Sequence, residues 1–297
     1  MNTDLDNNAE GAINRKVGSI ANTSAVNAFE TRCIAAIMPL LFRSVFGWRD
    51  IAENADEKTL LHTCEQTTIR GIDGSLLNCA LFRSTALPAK GVVLLCHPFL
   101  KYGMAYFYKN RYQTWLNAAG YHVVGFNFKG FGTSQLGGIT FADDVLSVTR
   151  WIRTTLPNLP VHLLGASFGG YHALQGIARH RLPFASVVLD SVPAHITHFF
   201  GRGMVGVVMR WLSKSRWADN TGTAPLASSY PALQHLPCLF LYGDNDRFIT
   251  PVERDVIGTH CPQATINLYP DCQHLELRKN HEQRYQADII TFLNRHK

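Results

Sequence analysis

Residues 165–170 read Gly-Ala-Ser-Phe-Gly-Gly (GASFGG) and follow the apolar run Val161-His162-Leu163-Leu164. A serine between glycines has two readings, turn punctuation or nucleophile. The Gly-x-Ser-x-Gly pattern alone is weak, because about 0.1 matches arise by chance in a chain of this length at ordinary residue usage. The setting strengthens it. An apolar strand stands before the motif and a helical pattern after it, and a strand-turn-helix elbow pushes a serine hydroxyl out over the sheet edge. Glycines let that turn tighten and let the helix lie close against neighbouring strands. Ser167 is the candidate nucleophile.

A serine hydroxyl is a poor nucleophile unless a histidine takes its proton and a carboxylate orients that histidine. Asp246, in Tyr-Gly-Asp-Asn-Asp-Arg (242–247), and His274, in Asp-Cys-Gln-His-Leu (271–275), follow in the order acid, then histidine. Each lies just beyond an apolar strand-like run, where open α/β sheets place their ligands. Asp244 and Asp190 are rival acids. Among thirteen histidines, position singles out His274, whereas His162, His172 and His260 read as ordinary surface or interior residues. Two backbone N–H groups are needed for an oxyanion. Phe168, after the nucleophile, and Phe99, in His97-Pro98-Phe99-Leu100, are the candidates, since Pro98 has no N–H to donate. His97 reads equally as a site residue or a structural loop histidine.

The surrounding rhythm defines the architecture. Strand-like runs Glu65 to Arg70 and Ser75 to Phe82 are joined by a turn-rich link, as in a hairpin. The run Gly91 to Cys96 is continuously apolar, as expected of a strand buried on both faces. Then come a helix Ala105 to Ala119, strand Tyr121 to Asn127, helix Phe141 to Thr155, strand Val161 to Gly165, helix Phe168 to His180 and strand Ala185 to Asp190. After an interruption follow strand Cys238 to Tyr242, helix Pro251 to Gly258, strand Thr265 to Tyr269 and helix Glu282 to Asn294. Strands alternating with helices imply right-handed crossovers and a doubly wound, mostly parallel sheet. The expected organisation is a flexible tail at 1–24, an N-terminal helical segment at 25–63, an α/β core at 64–190 and 236–297, and a cap insertion at 191–235. In the insertion, Phe200, Met204, Val207, Val208 and Trp211 share one helical face. Phe200, Met204, Val208 and Trp211 are the candidate substrate contacts; a helix that merely seals the core uses the same pattern.

Bulk properties narrow the function. The 297 residues are 46% hydrophobic and 17% charged, enough to bury a sizeable core. Seven cysteines without metal-ligand spacing fit reduced, buried thiols, which points to the cytoplasm and to no metal or other cofactor. The N-terminus lacks the apolar core of a signal peptide, and no run approaches the roughly 20 apolar residues of a spanning helix. The apolar positions from Val26 to Trp48 leave peripheral membrane association as a rival to packing on the body. The net charge of +6 is dispersed, so nucleic acid is not an expected partner. It suits solubility, or steering of an anionic small-molecule substrate such as a CoA-linked or carrier-protein-linked acyl group.

From Gly91 onward, about two-thirds of the chain resembles the α/β-hydrolase superfamily. Within it the chain looks like the lipase, esterase and serine-aminopeptidase-like serine hydrolases that carry a cap after the sixth strand. The His-Pro-Phe loop, the GASFGG elbow, the Gly-Asp-Asn-Asp loop and the late histidine carry the resemblance. It implies an α/β-hydrolase fold and a Ser167–His274–Asp246 triad that cleaves an acyl ester or thioester through an acyl-enzyme. An acyltransferase with the same triad, or a non-catalytic binding homologue, is the alternative. The segment Asn127-Phe-Lys129-Gly-Phe-Gly-Thr-Ser134 is similar to the superfamily's Asp-x-Arg-Gly-x-Gly-x-Ser, but Asn127 and Lys129 replace Asp and Arg. That puts an ion pair of the superfamily in doubt here.

Overall fold

Eight strands form one sheet: β1 (Glu65–Arg70), β2 (Leu76–Phe82), β3 (Gly91–Cys96), β4 (Tyr121–Phe126), β5 (Val161–Ala166), β6 (Ser186–Asp190), β7 (Cys238–Gly243) and β8 (Thr265–Tyr269). Their spatial order is β1-β2-β4-β3-β5-β6-β7-β8. β2 runs antiparallel to β1 and β4, and all other pairs are parallel. This computed structural model describes residues 63–100, 102–135, 140–200, 204–215, 218 and 224–296, without the side chains at 198, 200, 204 and 205. The tail expected at 1–24 and, apart from Thr63, the helical segment expected at 25–63 therefore lie outside the described residues.

The period-2 rule of a strand explains the core. In β3, Val92, Leu94 and Cys96 enter one apolar layer while Val93 and Leu95 enter the other, and every residue of the strand is buried. The first layer is closed by α3 (Phe141–Thr155) and α4 (Phe168–His180), through Val145, Val148, Ile152, Tyr171 and Leu174. The second is closed by α1 (Ala105–Lys109), α2 (Tyr112–Ala118) and α8 (Glu282–Arg295), through Tyr108, Tyr112, Leu116, Tyr285 and Ile289. Each such aliphatic side chain fully withdrawn from water contributes about 1.5–3 kcal/mol. Helix α5 (Met204–Lys214) forms the insertion, α6 (Pro251–His260) opens on a Thr250/Glu253 capping box, and a short α7 (Leu277–Asn280) precedes α8.

One expectation needs correction. The helix read over Ala105 to Ala119 is two helices, because Arg111 adopts a left-handed backbone (φ 53°) and the Asn110 side-chain amide bonds back to Tyr106 O at 2.8 Å. The break starts a fresh turn at Tyr112, whose hydroxyl donates to Tyr285 Oη at 3.1 Å. In α5 the face that packs on the core carries Met209 and Leu212, while Val207, Val208 and Trp211 lie outward, with Trp211 58% exposed. At 3.6 residues per turn a shift of one position rotates a side chain by about 100°, and this helix is apolar on both of those edges. The strand ends and the remaining helices fall within two residues of expectation. All six described cysteines are free.

Candidate active site

The carboxyl edge of the sheet gathers the chemistry-bearing loops, because Cys96 pairs with Gly165 and Ala166 pairs with Asp190 in register. Ser167 follows immediately, with φ 47° and ψ −114°, a left-sided conformation that costs a non-glycine residue energy and is sustained only by its surroundings. Those surroundings are glycines. A Cβ on Gly169 would collide with the carbonyls of Cys96 and His97, one on Gly165 with the Gly170 backbone, and one on Gly170 with Val192. Helix α4 thus lies against β3 at a distance only glycine permits.

Three side chains form one hydrogen-bonded line there. His274 Nε2 lies 2.9 Å from Ser167 Oγ, and its Nδ1 lies 2.7 Å from Asp246 Oδ2. The carboxylate can only accept from Nδ1–H, so Nε2 is left as the acceptor of the serine proton. Asp246 is buried, and its second oxygen accepts the Phe248 N–H at 2.9 Å. Of the rival acids, Asp244 is exposed, and the carboxylate oxygens of Asp190 take Ser191 Oγ–H and Tyr285 O–H instead. The Phe168 N–H, at the first position of α4, finds no backbone acceptor among the described residues, as an anion-binding group requires. It lies at a helix N-terminus, where the dipole adds to its pull on negative charge.

His97 has a structural role in this arrangement. Its Nε2 accepts the Phe128 N–H at 3.2 Å, which places the ring proton on Nδ1, 2.9 Å from Pro98 O. Burial pushes its pKa down to about 4, so the ring stays neutral and pins the Phe99 loop to β4. Asn127 secures the far end of that loop, accepting the Met104 N–H at 2.8 Å. Lys129 is buried and keeps an ionic partnership: its Nζ lies 3.0 Å from Asp144 Oδ1 and 2.5 Å from Asp73 Oδ2. Lys129 therefore has ion-pair partners of its own, Asp144 and Asp73. Burial pushes Asp144 up to about 7 against the pull of Lys129.

Two aromatic residues beyond the sequence reading flank the histidine. Phe199 and Phe248 each set their ring centroid 5.2 Å from that of His274, and they meet each other at 4.6 Å. Phe248 could have been found as a neighbour of the acid loop; Phe199 is one position from the nominated Phe200. Phe99, half-buried, stacks edge-on with Phe168 at 5.2 Å. The cap contacts nominated at Phe200 and Met204 have no described side chains, and the side chains of Val208 and Trp211 are exposed. His162 and His172 are buried interior residues, and His260 is exposed. A cavity of about 650 Å³ lies elsewhere, between Asp143 on α3 and Gln175 and His180 on α4, and includes none of the three triad residues.

Residues 91–211 match the family described as the alpha/beta hydrolase fold. The sequence has no significant match among curated proteins. Among solved structures, the chain is similar to an esterase from Pyrococcus furiosus at 17% identity, covering 83% of this chain and 96% of that one, TM-score 0.67. A thermostable carboxyl esterase from Bacillus coagulans aligns at 14% identity over 79% and 99% of the two chains, TM-score 0.63. A lidless α/β serine hydrolase from Xanthomonas campestris aligns at 22% identity over 78% and 94%, TM-score 0.55. The protein has the α/β-hydrolase fold. Among the described residues no helix is long and apolar enough to cross a membrane.

Proposed function

We propose that this protein is a serine hydrolase that cleaves a carboxylic ester or thioester bearing an apolar acyl group. The observation that carries the reading is the continuous line Asp246–His274–Ser167 set beside the Phe168 N–H. Ser167 Oγ attacks the acyl carbonyl carbon as its proton passes to His274 Nε2. The carbonyl oxygen takes up negative charge, which the N–H groups of Phe168 and Phe99 stabilise. Collapse expels the leaving group, which takes the proton from His274 and leaves an acyl-serine. Water then attacks with His274 as base, releasing the acid and free Ser167. Asp246 orients the imidazole through its Nδ1 and offsets the charge it takes up.

The apolar acyl preference rests on Phe99, Phe199 and Phe248, which bring aromatic surface to the mouth of the triad. A thioester with an anionic leaving group, such as an acyl-CoA, is the version favoured by Arg247. Its guanidinium sits 4.8 Å over the Phe248 ring, beside the catalytic acid, and makes no ion pair among the described residues. Treating the purified protein with a fluorophosphonate and locating the adduct by mass spectrometry tests the core of the reading: the adduct is expected on Ser167 and absent from Ser167→Ala. An unlabelled, folded wild type would favour a non-catalytic binding protein. Acyl-CoA and simple-ester turnover at low and high salt then separates the leaving groups, because capture by Arg247 weakens with ionic strength. Product formed on added alcohols in preference to acid would mark an acyltransferase.

A further inference from the structure

We propose that Asp190 and Ser191, at the end of β6, are positioning residues that join the nucleophile's loop to the histidine's loop and so set the Ser167–His274 hydrogen bond. The inference rests on the triad reading above. The Asp190 carbonyl accepts the Ser167 N–H at 2.8 Å, which ties the strained elbow to β6. The Asp190 side chain reaches the other loop through its neighbour. Ser191 Oγ–H donates to Asp190 Oδ1 at 2.8 Å, and the same Oγ accepts the Leu275 N–H, one residue past His274, at 3.2 Å.

The geometry is specific. A hydroxyl has one proton, so the carboxylate that takes it directs the oxygen's lone pairs toward Leu275. Ser191 (φ 54°) and Leu275 (φ 62°) both sit in the left-handed region, as Ser167 does. Three adjoining non-glycine residues are therefore held in costly conformations, and this network is what restrains them. Asp190 is buried, with its other oxygen accepting Tyr285 O–H at 2.7 Å, and Tyr112 O–H donating in turn to Tyr285. Packing thus anchors the device on α2 and α8.

The charged and titratable groups facing Asp190 are Tyr106, Tyr112 and Tyr285 from the helices, with Arg278 stacked over the Tyr112 ring, Tyr269 from β8, and His274 and Asp246 from the site. Burial raises the Asp190 pKa, and the bonds from Tyr285 and Ser191 draw it back.

The test measures the rate of fluorophosphonate labelling of Ser167 from pH 5 to 9 in wild type, Asp190→Asn and Ser191→Ala, with thermal melts as a folding control. Asp190→Asn keeps the shape and removes the charge; Ser191→Ala keeps the charge and removes the link. Expected for Ser191→Ala is a loss of labelling rate of roughly ten- to a hundredfold, the range for outer partners of metal-bound histidines, with the pH profile unmoved. Asp190→Asn is expected to lose rate and to move the acid limb to lower pH, since a buried carboxylate beside the site is removed. Wild-type rates and an unmoved acid limb in both variants would overturn the inference. Should Asp190→Asn fail to fold, Ser191→Ala decides alone: wild-type labelling in it overturns the proposal. Absence of labelling in the wild type itself would sink the triad reading, a result distinguishable from failure of the relay.

Discussion

The elbow around Ser167 and the inserted helix α5 are built in opposite ways. The elbow is a set of backbone approaches so close that a single added methyl at Gly165, Gly169 or Gly170 would collide with its neighbours. The cap is a helix that offers two apolar edges, buries Met209 and Leu212 and leaves Val207 and Val208 largely outside. Where backbone meets backbone, one arrangement survives and a short motif announces it. Where one apolar side chain can stand in for another, the core chooses among rotations that the sequence leaves equivalent.

Replacing the proposed nucleophile should have the largest effect. Ser167→Ala is expected to lower turnover of any ester substrate by at least about 10³-fold, with thermal stability little changed because alanine keeps the Cβ and so the same backbone conformation. A melting temperature that fell with activity would mean the serine is structural.

Acid should strike the elbow before the cap. His97 and His172 are buried with pKa values lowered to about 4 and about 3, against 6.5 when unfolded. Below pH 6.5 the unfolded chain takes up these protons first. Their stabilising contribution is therefore complete above 6.5 and is lost as pH falls toward 4, by up to several kcal/mol in total. Melts across this window, flattened in His172→Gln, would show it. Hydrogen exchange should rise first around α4 and the Phe99 loop; a rise confined to α5 would refute the ordering.

Gly169→Ala should cost about 3 kcal/mol and most activity, whereas Gly258→Ala, with open space around its Cβ in α6, should stabilise by about 0.5–1 kcal/mol. Within the cap, Leu212→Ala should cost about 2 kcal/mol, and Val207→Ser less than about 0.5 kcal/mol. Equal costs at these two positions, read by denaturant titration, would mean that the buried edge of α5 has been misassigned.

Much of the fold was legible because its signals are local. The apolar runs at Gly91–Cys96 and Val161–Ala166, the alternation with amphipathic helices and the glycines of the elbow all act within a few residues of each other. The break at Arg111 was not legible: it follows from where Tyr112 must point to meet Tyr285, 173 positions away. The partners of Lys129 were equally hidden, since Asp73 and Asp144 lie 56 and 15 positions from it.

By itself, then, the sequence determined the layered sheet and nominated Ser167, His274 and a short choice of acids, because strand, turn and helix chemistry is written at close range. Only the tertiary structure decided that Asp246 rather than Asp244 or Asp190 faces the imidazole, that His97 is a neutral strut, and which edge of the cap is inside. Each of those depends on groups brought together across long stretches of chain, such as the 107 positions between Ser167 and His274. Hydrogen-bond direction and burial exist there only once the sheet has assembled.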